Sequence, residues 1–178
     1  MTSEIVNQGA CPYGSAMFSY LGMGAGVALS SLGSAYGTAK AGKGVIISGI
    51  MKPSQAMKAT LPVIMAGVLG IYGLIIAIVI NSQIVKYEAP PYPVGAIPLL
   101  SSHAHLAAGI STGLAAFAAG IAIGISGSAG ARANARNPKL FVVMLLILVF
   151  GEALALYGLI LGLILCFKSV GPETCIIK

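Results

Sequence analysis

Charged residues are scarce in this sequence and make up only 8% of its 178 positions. A soluble domain carries roughly 25% charged residues, so the composition excludes a water-exposed globular fold. Tryptophan is absent, and 57% of the residues are hydrophobic, gathered in long apolar runs. A helix needs about 20 mostly apolar residues to cross a bilayer, and several runs are that long. The sequence therefore predicts an all-α integral membrane protein with almost no soluble part.

Cysteines and clustered basic residues are also too sparse for a metal centre or a nucleic-acid surface. The three cysteines, Cys11, Cys166 and Cys175, lack the spacing of metal ligands and are predicted to be unpaired. A disulfide between Cys11 and Cys175 stays open as an alternative. The net charge of +6 is spread over short connectors without aromatic neighbours, so we expect no nucleic-acid partner, metal or cofactor.

The apolar runs divide the chain into two helical hairpins. Gly and Pro clusters separate the runs: AGKG at 41–44, PPYP at 90–93, and Asn137-Pro138. We predict four transmembrane spans, at 13–39, 53–82, 100–128 and 138–167. The corresponding units are a polar N-terminal extension (1–12), a first hairpin (13–82), an outer connector (83–99), a second hairpin (100–167) and a C-terminal tail (168–178).

The two hairpins repeat one another at an offset of 85 residues. IYGLIIAIVI (71–80) then lies over LYGLILGLIL (156–165), and Pro53 lies over Pro138 without a gap. Each proline suits the first turn of a helix, where the missing N–H costs nothing. A tandem duplication of one hairpin is therefore predicted, and the even number of spans gives both copies the same orientation.

Basic residues lie mostly on one side of this topology. The connectors after the first and third spans, with the adjoining span ends, contain no acid and hold seven of the ten basic residues: Lys40, Lys43, Lys52, Lys58, Arg132, Arg136 and Lys139. The positive-inside rule places this side in the cytosol and both termini on the luminal side. Five of these residues are also candidates for docking a cytosolic partner: Lys40, Lys43, Lys52, Arg132 and Arg136.

Small residues recur at helical spacing on the first and third spans. These stripes consist of Gly22, Gly26, Ser30, Gly33 and Gly37, and of Gly109, Gly113, Gly120 and Gly124. Such stripes let helix backbones approach closely in lipid. They pack either one four-helix bundle or a crowded inner layer where several copies meet, and periodicity alone does not decide between the two. The Leu- and Ile-rich second and fourth spans are expected to lie outside.

Neither a nucleotide site nor other catalytic chemistry is indicated. GTAKAGKG (37–44) contains most of a phosphate-binding loop, but Gly44 replaces the required Ser or Thr and the segment ends a membrane span. His103 and His105 are expected at the membrane interface, with a pH-sensing or access role as the alternative. The chain is therefore predicted to hold no catalytic site of its own.

One carboxylate stands apart from this pattern. Glu152 lies near the middle of the fourth span and is the only charged residue between 140 and 165. Acids inside membranes are rare and point to function by default. No other span offers a Lys or Arg at that depth, so we expect the carboxyl to stay neutral by holding a proton. Glu152 is thus the predicted proton carrier, and its counterpart in the first repeat is Gly67.

A proton suits this site better than a sodium ion. Sodium needs several oxygen ligands to replace its hydration shell. At this depth the second span reads MAGVLG (65–70) and the third reads AAFAAG (115–120), without a polar side chain. The nearest polar groups are the hydroxyls of Tyr72 and Tyr157, which make a poor cage. Proton transport is therefore favoured.

The duplicated hairpin, AYGTAK (35–40), ARANARNPKLF (131–141) and GEALALYGLILGLIL (151–165) together resemble the proteolipid c-type family of vacuolar-type proton ATPases. The resemblance covers about residues 14–167. It implies a ring of several proteolipid copies, of one or more kinds, in the membrane sector of a rotary pump. ATP hydrolysis in a separate cytosolic sector would turn the ring. The implied location is the membrane of a vacuole or other acidic organelle, or the plasma membrane.

The resemblance also implies roles for single residues. Glu152 matches the proton-carrying acid of the family, which an arginine of the stator (the a-subunit) deprotonates between two aqueous half-channels. Tyr157 matches a tyrosine near that acid and would contact the macrolide inhibitors of the family. The cytosolic connectors would face the central stalk. The N-terminal extension, the outer connector and the tail depart from the family pattern.

Three other functions stay open at this point. A small four-helix proton-coupled exporter also uses one membrane carboxylate, but on the first span of a shorter, unduplicated chain. A structural pore or scaffold proteolipid would make Glu152 incidental. A sodium-pumping ring is the nearest variant of the favoured function.

Overall fold

The computed structural model describes residues 14–88 and 97–168. Four long helices run through these residues: α1 (Ala16–Met51), α2 (Leu61–Glu88), α3 (Leu99–Arg136) and α4 (Phe141–Phe167). Together with the turns that adjoin α2 and α4, all four are long and apolar enough to cross a membrane, which confirms the prediction of four spans. Three predicted features lie outside the described residues: the extension 1–12 with Cys11, the PPYP run, and the tail beyond Lys168 with Cys175.

Each hairpin bends at a proline. Lys52 and Asn137, which precede Pro53 and Pro138, leave the helical region at φ −146°, ψ 94° and at φ −134°, ψ 104°. A residue before proline is pushed toward extended backbone because the proline ring clashes with a helical predecessor. The amide of each residue still donates to the carbonyl four residues back, at 2.9 Å. A single 3-10 turn follows each bend and begins at the proline, so the two bends are built alike.

The predicted break at AGKG (41–44) is wrong. α1 continues through this segment to Met51, and α3 likewise extends to Arg136, beyond its predicted end. Gly44 serves close packing rather than a turn, because a Cβ there would lie 2.6 Å from the Cα of Ser128. At 1.5 Å per residue α1 is about 54 Å long, whereas the apolar layer of a bilayer is roughly 30 Å thick. The long helices therefore project beyond the membrane.

α1 and α3 form the central pair of the bundle. Their glycines bring the two backbones together: a Cβ on Gly26 would lie 3.3 Å from the Cα of Gly109, and one on Gly33 would lie 2.5 Å from the Cα of Phe117. α2 packs against both α1 and α3, while α4 packs mainly against α3. Since packing rather than the hydrophobic effect drives helix association in lipid, this close approach stabilises the bundle.

The two halves show the same packing, as the internal repeat predicts. Gly73 on α2 packs against Ser30 of α1, and Gly158 on α4 packs against Ala115, which occupies the same position in the second repeat. The outward faces of α2 and α4 carry large apolar side chains, including Ile64, Ile71, Leu74, Ile78, Leu146, Phe150, Leu154 and Ile160. These faces are exposed on the outside of the bundle, as expected for outer second and fourth spans.

Candidate proton site at the junction of the repeats

Glu152 lies halfway along the thirty-residue span Pro138–Phe167, on the side of α4 that faces the bundle. Its side chain is 8% exposed, whereas its neighbours Phe150 and Leu154 are 72% and 61% exposed. The buried stripe of α4 that holds Glu152 is otherwise free of charge: Met144, Leu148, Ala155, Leu159, Gly162 and Cys166. The fold therefore keeps this carboxyl out of contact with lipid.

Tyr72 of α2 donates a hydrogen bond from its hydroxyl to Oε1 of Glu152. Tyr72 is itself 8% exposed, so the bond is shielded within the bundle. The acid belongs to the second repeat and the tyrosine to the first, so the site exists only where the two hairpins meet. The sequence places Tyr72 among the nearest polar groups, but it does not identify Tyr72 as the partner. In the sequence, only the position of Tyr72 along the second span indicates that it could lie near the acid.

The second carboxyl oxygen, Oε2 of Glu152, is buried and has no hydrogen-bond partner in the part of the chain that the structure describes. The span offers no basic residue between 140 and 167 to balance a negative charge. An ionised carboxyl without a neighbouring cation is costly in such surroundings, so the neutral, protonated form suits this site. A sodium ion would need several oxygen ligands besides the carboxyl, and among the described residues only the Tyr72 hydroxyl hydrogen-bonds to it.

Tyr157, predicted to be a neighbour of the acid, lies on a different face of α4. Its side chain is 65% exposed on the outside of the bundle. Five residues along an α-helix correspond to a rotation of about 140°, so Tyr157 points outward where Glu152 points inward. Tyr157 is therefore open to contact from outside the chain, and Tyr72 is the tyrosine that bonds to the carboxyl.

His105 is fully buried between helices, although it lies only six residues after the start of α3, so its predicted depth at the membrane interface stays a prediction. Its Nδ1 atom lies 3.0 Å from the hydroxyl oxygen of Ser19 on α1. α1 covers this part of α3 because Gly22 lets the backbones approach; a Cβ there would lie 2.5 Å from the carbonyl oxygen of His105. His103 is exposed and stacks on Phe18, with ring centroids 5.0 Å apart. Both histidines thus join α3 to α1.

The predicted docking residues lie mainly on helix ends and not in loops. Lys40 and Lys43 belong to α1, Arg132 and Arg136 belong to α3, and only Lys52 stands between helices. All five are exposed. The Nε atom of Arg132 donates to the carbonyl of Ser128 at 3.1 Å, within its own helix. The helical extensions therefore present these charges at one end of the bundle.

The predicted packing residues are all buried within one chain: Gly22, Gly26, Ser30, Gly33, Gly37, Gly109, Gly113, Gly120 and Gly124. A Cβ on Gly124 would lie 2.9 Å from the Cα of Gly37, which is one of several backbone approaches between α1 and α3. Within one chain these stripes pack α1 against α3. The alternative, an inner layer where several copies meet, stays a prediction.

Two stretches of the chain, residues 21–80 and 106–165, each match the family model of the ATP synthase C-subunit. Together they cover more than half of the 178 residues. The two matches begin 85 residues apart and end 85 residues apart, which is the offset of the internal repeat and confirms the tandem duplication. The first match contains Tyr72 and the second contains Glu152.

Proposed function

Because the chain belongs to the ATP synthase C-subunit family, we propose that it carries protons across the membrane on the carboxyl of Glu152. Members of this family are non-catalytic rotor components of proton-translocating ATPases and assemble into a ring in the membrane. The observation that carries the proposal is the burial of Glu152 at mid-span, in an apolar stripe, with a single hydroxyl as its hydrogen-bond partner. A scaffold has no use for such a group.

The carrier cycle needs two states of the carboxyl. In the protonated state the group is neutral and tolerates apolar surroundings while the ring turns. A cationic side chain on a neighbouring protein stabilises the carboxylate and releases the proton. By family resemblance, that cation is an arginine of the stator. Tyr72 contributes by donating to Oε1, which holds the carboxyl on the inward side of α4 until it meets that cation.

We further assign the chain to the vacuolar-type branch of the family. Its four spans form a duplicated hairpin, and only the second repeat keeps the acid, since Gly67 stands at the matching position. These features resemble vacuolar-type proteolipids and support a location in a vacuolar or other acidic-organelle membrane, or in the plasma membrane. The exposed basic helix ends support a cytosolic position, facing the central stalk, with both termini luminal.

The variant Glu152→Gln tests the proposal in the assembled ATPase. Gln has nearly the size of Glu and also forms hydrogen bonds, but its amide does not titrate and so cannot carry a proton. We expect normal ring assembly and ATP-driven acidification of vesicles reduced to background. Glu152→Asp serves as the matched control and should retain partial transport, because it shortens the carboxyl side chain without removing the acid. Acidification by Glu152→Gln at the wild-type rate would contradict the proposal and favour a scaffold.

A further inference from the structure

An open groove lies between the C-terminal turns of α1 and α3 and the turn that precedes α4. We call this end of the bundle the basic end; its basic residues are Lys40, Lys43, Lys52, Lys58, Arg132, Arg136 and Lys139. The groove has a volume of about 480 Å³, within the range of about 300–1,000 Å³ that is usual for ligand pockets. Five apolar residues, two arginines and one asparagine line it: Ile47, Met51, Ala129, Ala133, Leu140, Arg132, Arg136 and Asn137. A ligand of this groove therefore needs both an apolar part and a negative charge.

No acid in the surrounding sequence balances these charges. The chain has four acids in all, and residues 5–87 and 89–151 contain none of them. All the residues that line the groove fall in these two ranges. Glu152 follows the second range directly, but its carboxyl is buried in the bundle and accepts a hydrogen bond from Tyr72. The two arginines therefore remain available to an anion from outside the chain.

The depth of the arginines corresponds to the headgroup layer of a bilayer. Gly151, next to the mid-span Glu152, packs against α3 where a Cβ on it would lie 3.0 Å from Cγ1 of Ile123. Ile123 is therefore near the middle of the membrane. Arg132 and Arg136 follow it by nine and thirteen residues, or about 14 and 20 Å along the helix axis. The apolar layer ends at about 15 Å from its centre and the headgroups at about 20–22 Å, so both arginines lie at the level of lipid phosphates.

The side chain of Arg132 is folded back toward the membrane. Its Nε donates to the carbonyl oxygen of Ser128 at 3.1 Å, and its Nη2 donates to Oγ of Ser128 at 3.2 Å. Ser128 lies one turn earlier on α3, nearer the membrane centre. A guanidinium has five N–H groups, so three remain free to bind an anion beside the groove. An arginine held in this way is directed to the lipid surface and not to the surrounding water.

The exposed face of α3 continues from the arginines toward the membrane centre as an apolar stripe. Ala129 and Ile125 precede Arg132 by three and seven residues, a spacing that keeps side chains on one face of a helix. Ile125 is 53% exposed, and Ala129 and Ala122 are exposed as well. A soluble acidic protein would contact the charges and leave this stripe uncovered. A phospholipid offers a phosphate and then acyl chains in the same order.

We infer that the groove binds an anionic phospholipid, with its phosphate between Arg132 and Arg136 and one acyl chain along Ala129 and Ile125. The two arginines are one turn apart, about 6 Å along the helix, so both reach the same headgroup. Guanidinium groups bind phosphate oxygens through paired N–H bonds, and basic pockets between membrane helices bind anionic headgroups. A zwitterionic lipid brings a cation of its own beside the arginines and binds more weakly. This site is separate from Glu152 and goes beyond the proposed function.

Photoreactive lipids in the assembled ATPase test this site. The complex is reconstituted in phosphatidylcholine bilayers with a trace of phosphatidylglycerol or phosphatidylcholine that carries a diazirine in one acyl chain, and mass spectrometry maps the labelled residues. Phosphatidylglycerol should label the groove and Ile125 about fivefold or more above phosphatidylcholine. The double variant Arg132→Gln, Arg136→Gln should reduce this preference to nearly equal labelling by the two lipids.

The matched control is the double variant Lys52→Gln, Lys58→Gln. It removes the same charge from exposed positions at the basic end that do not line the groove, so it should keep most of the preference for phosphatidylglycerol. A second variant, Ala129→Phe, fills the groove at an exposed position and leaves every charge in place. It should reduce labelling of Ile125 by phosphatidylglycerol at least as far as the loss of one arginine, by about fivefold.

Three results would overturn the inference. Equal labelling of the wild-type groove by both lipids would show that the arginines select no headgroup. An equal loss of preference in the lysine variant would reduce the effect to general attraction of anionic lipid by the basic end. Absence of label from the groove residues would show that another protein surface covers them. Because labelling is read without proton transport, each of these results leaves the role of Glu152 untouched.

Discussion

The hydroxyl of Tyr72 bonds to the carboxyl of Glu152 across the junction between the two repeats. The two residues are 80 positions apart in the chain, and each is nearly buried. The duplicated fold therefore builds one asymmetric site from two similar halves, with the acid supplied by one hairpin and the hydroxyl by the other.

Removing this hydroxyl should slow proton transport. We expect Tyr72→Phe to assemble normally but to pump up to about tenfold more slowly, because a hydrogen bond to the neutral carboxyl contributes about 0.5–1.5 kcal/mol and orients it. The matched control is Tyr157→Phe, which removes the same atom from an exposed side chain and should pump at nearly the wild-type rate. ATP-driven acidification of vesicles measures both. Equal rates for the two variants would show that the bond to Glu152 has no role in transport.

Close packing of α1 on α3 predicts a position-dependent effect of one methyl group. A Cβ on Gly33 would lie 2.5 Å from the Cα of Phe117, whereas one on Gly42 meets nothing within 4 Å. Gly33→Ala should destabilise the bundle by about 1–3 kcal/mol through overpacking. Gly42→Ala should be neutral or stabilising by about 0.5–1 kcal/mol, since Gly is a poor helix former. Thermal unfolding in detergent compares the two, and similar midpoints would contradict the packing described for α1 and α3.

A carboxyl introduced into the first repeat should react with carbodiimide as Glu152 does. Gly67→Glu places an acid at the counterpart of Glu152, in a position that is open within the chain. Because the two repeats share one fold, the introduced carboxyl would lie at the depth of Glu152 in the membrane and be shielded from water. Carbodiimide labelling should then appear at position 67 as well as at Glu152. Labelling of the Gly67→Glu variant at Glu152 alone would contradict equivalent depths of positions 67 and 152 in the two repeats.

The sequence predicts much of the fold because the bilayer constrains it so strongly. Four apolar runs, the prolines at 53 and 138, and a gapless 85-residue offset were enough to predict four spans in two equivalent hairpins. The helix ends were harder to predict from the sequence. AGKG (41–44) has the composition of a turn, but Gly44 is used for contact with Ser128, a tertiary effect that local propensity does not report.

The candidate site, like the fold, could be predicted from the sequence only in part. Glu152 stands out in the sequence because ionisable groups are so costly in an apolar span. Its partner does not stand out, since Tyr72 and Tyr157 occupy equivalent positions in the two repeats. Only the packing of α2 beside α3 and α4 brings Tyr72 to the acid and leaves Tyr157 outside. The burial of His105 depends in the same way on α1, which covers it.

Carbodiimide labelling of the native ring, mapped by mass spectrometry over a pH series with and without sodium, tests the central role of Glu152 most directly. Carbodiimides react with protonated carboxyls that are shielded from water. We predict selective modification of Glu152 that persists at neutral pH, fades only in alkali and is unaffected by sodium. Protection by sodium would replace the proton with a sodium ion as the transported species. Absence of modification at Glu152, while other carboxyls react, would contradict a protonated carrier at this position.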